Sequence, residues 1–261
     1  MTPSPIISPT AISPAKTSVA KKIRLAKYLA LTGLCSRRAA TRYIRDGLIM
    51  IEGRQANHID TVTLIESPDG LICKELLLFD GMAVEGIEPK QYRMLNKCVG
   101  TDCRLLPDDS DSLLHLLPAS PRLYPVGRLD KDSRGLLLLT NDGELTQHLM
   151  HPDFGHTKTY RVRVDRPYGD EFLQKMAQGV SYRDVTTLPC TMTRLSEDQF
   201  EIVLTQGLNR QIRRMSQALG FKVIDLKRVK IQTLMLEDLN EGEMRELTVE
   251  EIDKLKQETR I

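Results

Sequence analysis

Long hydrophobic runs are absent from this sequence of 261 residues. A transmembrane helix needs about 20 consecutive apolar residues, so no membrane-spanning helix is expected. Cysteine is also scarce, and the five cysteines are odd in number and include no pair at zinc-knuckle spacing. We therefore expect reduced thiols, a cytoplasmic location and no bound metal.

A signal-peptide pattern is missing from the first 22 residues, MTPSPIISPTAISPAKTSVAKK. They are rich in Pro, Ser, Thr and Ala, and they contain no apolar h-region. A segment of this composition buries too little apolar surface to fold by itself. We therefore predict a disordered tail over residues 1–22.

Charge is nearly balanced over the whole chain but is unevenly distributed. The net charge is +2, whereas the segment from Lys21 to Arg54 contains nine Lys or Arg against two acids, a net +7 that leaves −5 for the rest of the chain. A basic segment of this density indicates a polyanionic partner.

The basic segment predicts two short helices. Leu25, Tyr28 and Leu29 lie at helical spacing, and Ser36 is a suitable N-cap for a second helix that ends at Gly47. The second helix is rich in cations with few acids nearby: Arg37, Arg38, Arg42 and Arg45. A solvated basic face without a ligand is one interpretation, and binding of nucleic-acid phosphates is the other.

The stretch RLAKYLALTGLCSRRAATRYIRDGLIMIEGRQA resembles an S4 domain, a small RNA-binding module, and the resemblance covers residues 23–70. It implies that the second helix docks on structured RNA and that its four arginines contact phosphates. The following residues, 71–90, contain Gly81, Gly86 and Pro89 and are expected to form a linker.

Residues 91–261 are predicted to form a second domain, in which alternating apolar stretches dominate. Five of these stretches predict strands: YRMLNK, LLLLTN, KTYRVRV, FEIVLT and KVIDLKRVKI. Amphipathic stretches near 170–178 and 209–219 predict helices. This order indicates an α+β fold with a largely antiparallel mixed sheet.

Three polar stretches interrupt these strands and are candidates for a functional site. GRLDKD places Asp130 among cations before a leucine-rich strand, and HTKTYRVRV places Tyr160 on the apolar face of its strand. In QGLNRQIRRMSQALGF, Asn209 is the predicted N-cap of a helix whose dipole disfavours the cations that follow: Arg210, Arg213 and Arg214. A surface ion cluster and a core tyrosine are the alternatives to a site.

Five motifs of the second domain resemble the RsuA/RluB/RluF branch of pseudouridine synthases: NKCVG, GRLDKDSRGLLLLTNDG, KTYRV, GLNRQIRRM and LKRVKI. With the S4-like segment, the resemblance covers residues 23–255, and GRLDKDS and GLNRQIRRM look most like the RluF type, which modifies large-subunit rRNA. It implies a pseudouridine synthase catalytic domain. Such enzymes break the bond between uracil and ribose, turn the base and join its C5 to the sugar.

The resemblance also implies roles for individual residues. Asp130 would be the nucleophile, Arg213 its ion-pair partner, and Tyr160 the ring that packs on the base. Arg128 would help to hold the target nucleotide outside the RNA helix. Further motif positions are expected to contact the RNA substrate: Lys158, Asn209, Arg210, Arg214 and Arg228.

RNA is therefore the expected partner, and the family needs no metal or cofactor. The expected substrate is rRNA, free or in a ribosomal subunit or its precursor, with tRNA as a second candidate, and the enzyme is expected to be a monomer. His148, His151 and His156 fit no helical face and lack a complementary ligand, so we expect structural roles for them. A non-catalytic S4-containing ribosome-assembly factor and a nucleoside hydrolase with paired carboxylates are the rival hypotheses.

One motif departs from the family pattern. NKCVG has Cys98 where the family usually has proline. A proline would stiffen the end of the strand, so the loop of residues 99–112 is expected to be looser here. This departure concerns the choice of substrate and leaves the expected chemistry unchanged.

Overall fold

The computed structural model describes residues 21–67 and 70–259. The chain forms two compact units, divided between Glu88 and Pro89. In these described ranges, no helix has the length and apolar character needed to cross a membrane. The helices are α1 (Leu25–Leu31), α2 (Arg37–Arg45), α3 (Gly143–Met150), α4 (Asp170–Gln178), α5 (Gln211–Ala218) and α6 (Val249–Thr259), with 3₁₀ turns at Leu113–Leu116 and Pro152–Phe154.

The strands are short in the first unit and longer in the second. In the first unit they are β1 (Lys21–Arg24), β2 (Ile49–Ile51), β3 (Arg54–Gln55), β4 (Thr61–Ser67), β5 (Gly70–Cys73), β6 (Leu77–Phe79) and β7 (Met82–Ala83). In the second unit they are β8 (Tyr92–Lys97), β9 (Tyr124–Pro125), β10 (Arg134–Thr140), β11 (Lys158–Val164), β12 (Ser181–Tyr182), β13 (Val185–Thr186), β14 (Thr191–Arg194), β15 (Gln199–Leu204), β16 (Val223–Ile231), β17 (Leu234–Met235) and β18 (Met244–Glu246).

The first unit combines α1 and α2 with two small antiparallel sheets, of strand order β1-β4-β5 and β3-β2-β6-β7. Helix α2 begins as predicted, because the Ser36 side chain accepts a hydrogen bond from Ala39 N at 3.1 Å. Ala40 and Ile44 are buried in the core of the unit. The four arginines of α2 are exposed, so the predicted helix with its cationic surface is confirmed.

Two boundaries predicted from the sequence, those of the tail and of the linker, differ from the boundaries in the structure. Residues 1–20 of the predicted tail lie outside the described residues, whereas Lys21 and Lys22 belong to β1, which pairs with β4. The predicted linker over 71–90 is wrong for much of its length, because β5 pairs with β4 and β6 pairs with β2. These strands complete the sheets of the first unit, but they are only two to four residues long. Such short strands contain too few residues for an alternating pattern.

A nine-stranded sheet is the framework of the second unit. Its order is β14-β15-β11-β16-β10-β8-β18, with β17 attached to β16 and β9 attached to β10. Among the described strands of this sheet, only β10 and β16 pair in parallel. The α+β fold with a largely antiparallel sheet is therefore confirmed, and so are the five strands predicted from the sequence.

Strand β10 contains four consecutive leucines because both of its faces are buried. Leu136 and Leu138 belong to a core that also contains Leu145 of α3. Leu137 and Leu139 belong to a separate core on the other face, since successive side chains of a strand point in opposite directions. A strand buried on both sides gives a rigid support to the loop of residues 126–133 that precedes it.

Strands β10 and β16 approach each other very closely at Gly135. This glycine has a φ of +105°, and a Cβ added to it would lie 2.3 Å from the backbone oxygen of Arg228. Both the backbone conformation and the close contact therefore require glycine. The approach brings Arg228 next to the first residues of β10, just after the loop that carries Asp130.

Candidate active site

A cleft of about 960 Å³ opens beside the loop of residues 126–133 in the second unit. Strands β11 and β16 and the segment before α5 supply its other walls. Seven of the predicted site residues line it: Arg128, Asp130, Lys158, Tyr160, Asn209, Arg210 and Arg228. Arg213 and Arg214 are not among the described residues that line the cleft.

Asp130 is presented to the cleft by an anchored loop. Its side chain is 33% exposed, and its backbone oxygen accepts a hydrogen bond from Ser133 N at 3.0 Å. The preceding residue, Leu129, is buried, and its backbone N–H donates to Cys103 Sγ at 3.4 Å. The loop is thus held on both sides of the carboxylate, while the carboxylate itself stays accessible.

The ion pair of Asp130 differs from the predicted one. Arg210 Nη1 lies 3.7 Å from Asp130 Oδ2. Arg210 also donates to both carboxylate oxygens of Asp132, at 3.0 and 2.7 Å, and this hydrogen bonding lowers the pKa of Asp132. Arg213 pairs with Asp132, at 3.4 Å between Nε and Oδ2. The predicted ion pair between Arg213 and Asp130 is therefore wrong for this structure, and Arg210 occupies that position.

Arg213 instead forms hydrogen bonds with the loop that carries Asp130. Its Nη2 donates to Asp132 O at 2.6 Å and to Ser133 Oγ at 3.3 Å, and its Nη1 donates to Val223 O at 3.2 Å. The side chain is only 13% exposed, and burial lowers the pKa of Arg213. The guanidinium of Arg213 is thus committed to β16 and to the loop residues that follow Asp130.

Helix α5 begins later than the sequence predicts. Its N-cap residue is Arg210, which has left-handed backbone angles (φ 51°, ψ 34°) and makes no side-chain cap. Asn209 is therefore not the N-cap, because its side-chain oxygen accepts a hydrogen bond from Arg214 Nη2 at 2.8 Å instead. A left-handed conformation costs a non-glycine residue about 1–2 kcal/mol. Strain of this kind is often found at functional sites, and here it lies at the residue that binds Asp132.

Lys97 is a contributor to the site that the sequence analysis missed. It is fully buried at the end of β8, where its ammonium donates to Ser133 O at 2.6 Å and to Cys98 O at 2.9 Å. Burial lowers the pKa of Lys97. The hydrogen bond to Ser133 O fixes the junction between the Asp130 loop and β10. The available signal was the NKCVG motif, in which Lys97 is the last residue of the strand.

Tyr160 and Arg228 lie opposite each other on β11 and β16. Arg228 is 2% exposed, and its Nε donates to Leu136 O at 2.8 Å. Its Nη2 is buried without a hydrogen-bond partner among the described residues. Lys158, two residues before Tyr160, lines the same cleft. Burial, followed by the charge of Arg228, lowers the pKa of Lys158.

The three histidines near the cleft make contacts within the protein. His148 stacks on Phe154 with ring centroids 4.8 Å apart, and His151 lies 5.5 Å from the same ring. His156 Nδ1 is hydrogen-bonded to Gln232. Throughout residues 21–67 and 70–259, no group of three or more His, Cys, Asp or Glu side chains is arranged to hold a metal ion.

Comparison with known proteins gives consistent matches. The family model described as RNA pseudouridylate synthase matches residues 91–218. The dual-specificity RNA pseudouridine synthase RluF of Shigella flexneri is 37% identical over 232 residues, which cover 88% of this chain and 77% of that protein. The ribosomal large subunit pseudouridine synthase B of Bacillus subtilis is 34% identical over 241 residues, 89% of this chain and 95% of that protein.

A solved structure extends the match to the fold. A crystal structure of a pseudouridylate synthase superposes with a TM-score of 0.64 at 32% sequence identity, covering 89% of this chain and 99% of that chain. The identity and coverage of these relatives are sufficient to assign the chain to a family.

Proposed function

Because the chain belongs to the RNA pseudouridylate synthase family, whose members convert uridine in RNA to pseudouridine, we propose that its cleft isomerises a specific uridine of rRNA with Asp130 as the nucleophile. The position of Asp130 is the observation that supports this role. Among the described residues that line the cleft, the only other acid is Asp102, and Arg104 binds its carboxylate at 2.6 Å. A hydrolase with two free carboxylates is therefore disfavoured, and family membership disfavours a non-catalytic assembly factor.

The main steps of the isomerisation can be assigned to residues in or beside the cleft. The carboxylate of Asp130 attacks the target nucleotide, the bond between N1 and C1′ breaks, and the base turns. C5 then bonds to C1′, the bond to Asp130 breaks and frees the carboxylate, C5 loses its proton, and N1 takes up a proton. Tyr160 packs on the base during this turn, and Arg210 balances the negative charge of Asp130. Arg213 acts as a positioning residue, because it holds the backbone next to the nucleophile.

The target uridine must leave its RNA helix before it can reach Asp130. Flipping a nucleotide out of the stack costs a few kcal/mol, so contacts with the flanking phosphates are needed to hold it. Arg128 is suited to this task, since it lines the cleft, is exposed and forms no ion pair with a described residue. Asn209 and Arg214 are proposed to support the same RNA segment from the start of α5.

The first unit is proposed to be an S4 RNA-binding domain. Its helix α2 carries four exposed arginines, of which only Arg45 forms an ion pair within the described chain, with Asp46 at 3.2 Å. Arg37, Arg38 and Arg42 are therefore available to phosphates. Neutralisation of phosphates supplies sequence-independent affinity, and base selection is left to the cleft of the second unit.

The relatives guide the proposal about the RNA. One is described as a synthase of the large ribosomal subunit and others as dual-specificity enzymes. We therefore propose large-subunit rRNA, free or in an assembling particle, as the main substrate and tRNA as a second. Both substrates are consistent with a cytoplasmic enzyme, which we propose acts as a monomer.

Pseudouridine mapping tests this function. Total RNA from cells with and without the gene is compared at single-nucleotide resolution, and the missing modification is restored with the purified protein. We expect one or a few uridines of large-subunit rRNA to lose their modification in the mutant. An unchanged map in both rRNA and tRNA would contradict the proposed function.

A further inference from the structure

The cations of the cleft form two groups, which differ in burial. The rim consists of exposed cations: Arg104, Arg128, Lys131 and Arg210. The floor consists of the half-buried Lys158 on β11 and the buried Arg228 on β16. Three of the four rim cations are already bound by acids at 2.6–2.7 Å, because Arg104, Lys131 and Arg210 pair with Asp102, Asp111 and Asp132, respectively.

The floor cations have no acid partner within the described residues. Arg228 Nε donates a hydrogen bond to Leu136 O at 2.8 Å, whereas Arg228 Nη2 is buried without a hydrogen-bond partner among the described residues. The two positive charges also repel each other. Burial lowers the pKa of Lys158, and the charge of Arg228 lowers it further. Two neighbouring cations, one half-buried and the other buried, are unfavourable unless an electron-rich ligand binds them. The floor is therefore incomplete in the free protein.

The depth of the floor indicates which part of a nucleotide binds there. The phosphates of a flipped nucleotide remain in the RNA backbone and stay near the mouth of the cleft, within reach of the rim. The base enters first and reaches the strands that carry Lys158, Tyr160 and Arg228. Uracil offers two carbonyl oxygens, O2 and O4, which accept hydrogen bonds from these donors.

We propose that Lys158 and Arg228 bind the carbonyl oxygens of the target uracil and stabilise the negative charge that the base acquires during the reaction. The inference rests on the proposed function. When the bond between N1 and C1′ breaks, its electron pair leaves with the base, and the charge spreads over N1, O2 and O4. C5 then supplies an electron pair to C1′, the C5 proton leaves, and N1 takes up a proton, so that the product is an isomer of the substrate.

The same donors favour uracil over cytosine. Cytosine has an amino group in place of O4, so a donor of the base would face a donor of the protein. A site built to bind a carbonyl oxygen discriminates strongly when that acceptor is missing, because the buried donor is left unpaired.

Substitution of Lys158 tests the inference. Lys158→Met removes the charge and keeps the length of the side chain, Lys158→Arg keeps the charge, and Arg161→Met is the matched control on the exposed face of the same strand. Single-turnover rates are measured at saturating concentrations of rRNA transcribed in vitro, and RNA affinity is measured separately. We expect Lys158→Met to lower the rate about 10²-fold, the effect of removing one donor to a developing anion. Its affinity should change less than about threefold, Lys158→Arg should recover part of the rate, and Arg161→Met should match the wild type.

Two other outcomes would overturn the inference. If Lys158→Met weakened RNA binding and reduced its salt dependence while the saturated rate stayed normal, Lys158 would bind a phosphate. If Lys158→Met equalled the wild type in both rate and affinity, the floor would have no role in the reaction. The wild-type rate is the internal control, because failure of the wild type to form pseudouridine would contradict the proposed function itself.

Discussion

Gly135→Ala should destabilise the second unit far more than an ordinary glycine substitution. Alanine at a φ of +105° is strained by about 1–3 kcal/mol. Its Cβ would also lie 2.3 Å from Arg228 O and 2.8 Å from Arg228 N, so β10 and β16 must separate, and overpacking of this kind costs about 1–3 kcal/mol more. The sum is roughly 2–6 kcal/mol, which lowers the melting temperature of a unit of this size by about 4–24 °C.

Gly155→Ala is the matched control for this experiment. Gly155 also has a positive φ, +59°, but a Cβ there would have nothing within 4 Å. Only backbone strain of about 1–2 kcal/mol is expected, equivalent to about 2–8 °C. Thermal unfolding of the full chain, followed by circular dichroism, compares the two variants. Equal melting temperatures for them would refute the claim that the close approach of β10 to β16 is what requires glycine.

Two further predictions concern the arginines. Arg213→Ala should lose most of the single-turnover activity, because the loop next to Asp130 loses two hydrogen bonds. Arg213→Lys should restore only part of it, since an ammonium lacks the planar set of donors. Full activity in Arg213→Ala would contradict the positioning role. Replacing Arg38, Arg42 and Arg45 of α2 with glutamate should weaken binding to all RNA sequences. The slope of log affinity against log salt should become shallower by about 2 or more, and the reaction rate at saturating RNA should stay near normal. An unchanged salt slope would mean that Arg38, Arg42 and Arg45 do not contact phosphates.

The regular parts of the fold could be predicted because local patterns determine them. The spacing of apolar residues was sufficient to predict α1, and the side chain of Ser36 was sufficient to predict the start of α2. The long strands of the second unit were predicted from their apolar content in the same way. Strands β5 to β7 were missed, because they are too short to carry a periodicity of their own and because β6 is held by pairing with the distant β2.

The members of the site could be predicted better than their pairing. Asp130, Tyr160 and Arg228 come together in one cleft as expected. The ion pairs could not be predicted, because Asp130 and Asp132 lie in the same loop and compete for arginines that start a distant helix. The left-handed backbone of Arg210 turns this residue towards the acids and has no signal in the sequence. Lys97 was missed for a similar reason, since its partners are backbone oxygens.

The most direct test of the central claim is pseudouridine formation by Asp130→Asn. The substitution keeps the size of the side chain and removes the carboxylate of Asp130, while the arginines of α2 and the rim that we propose to contact RNA remain. We expect a loss of rate of about 10⁴-fold or more in single turnover with rRNA transcribed in vitro, with RNA affinity within about threefold of the wild type. Pseudouridine formation by Asp130→Asn at a rate near that of the wild type would contradict the assignment of Asp130 as the nucleophile.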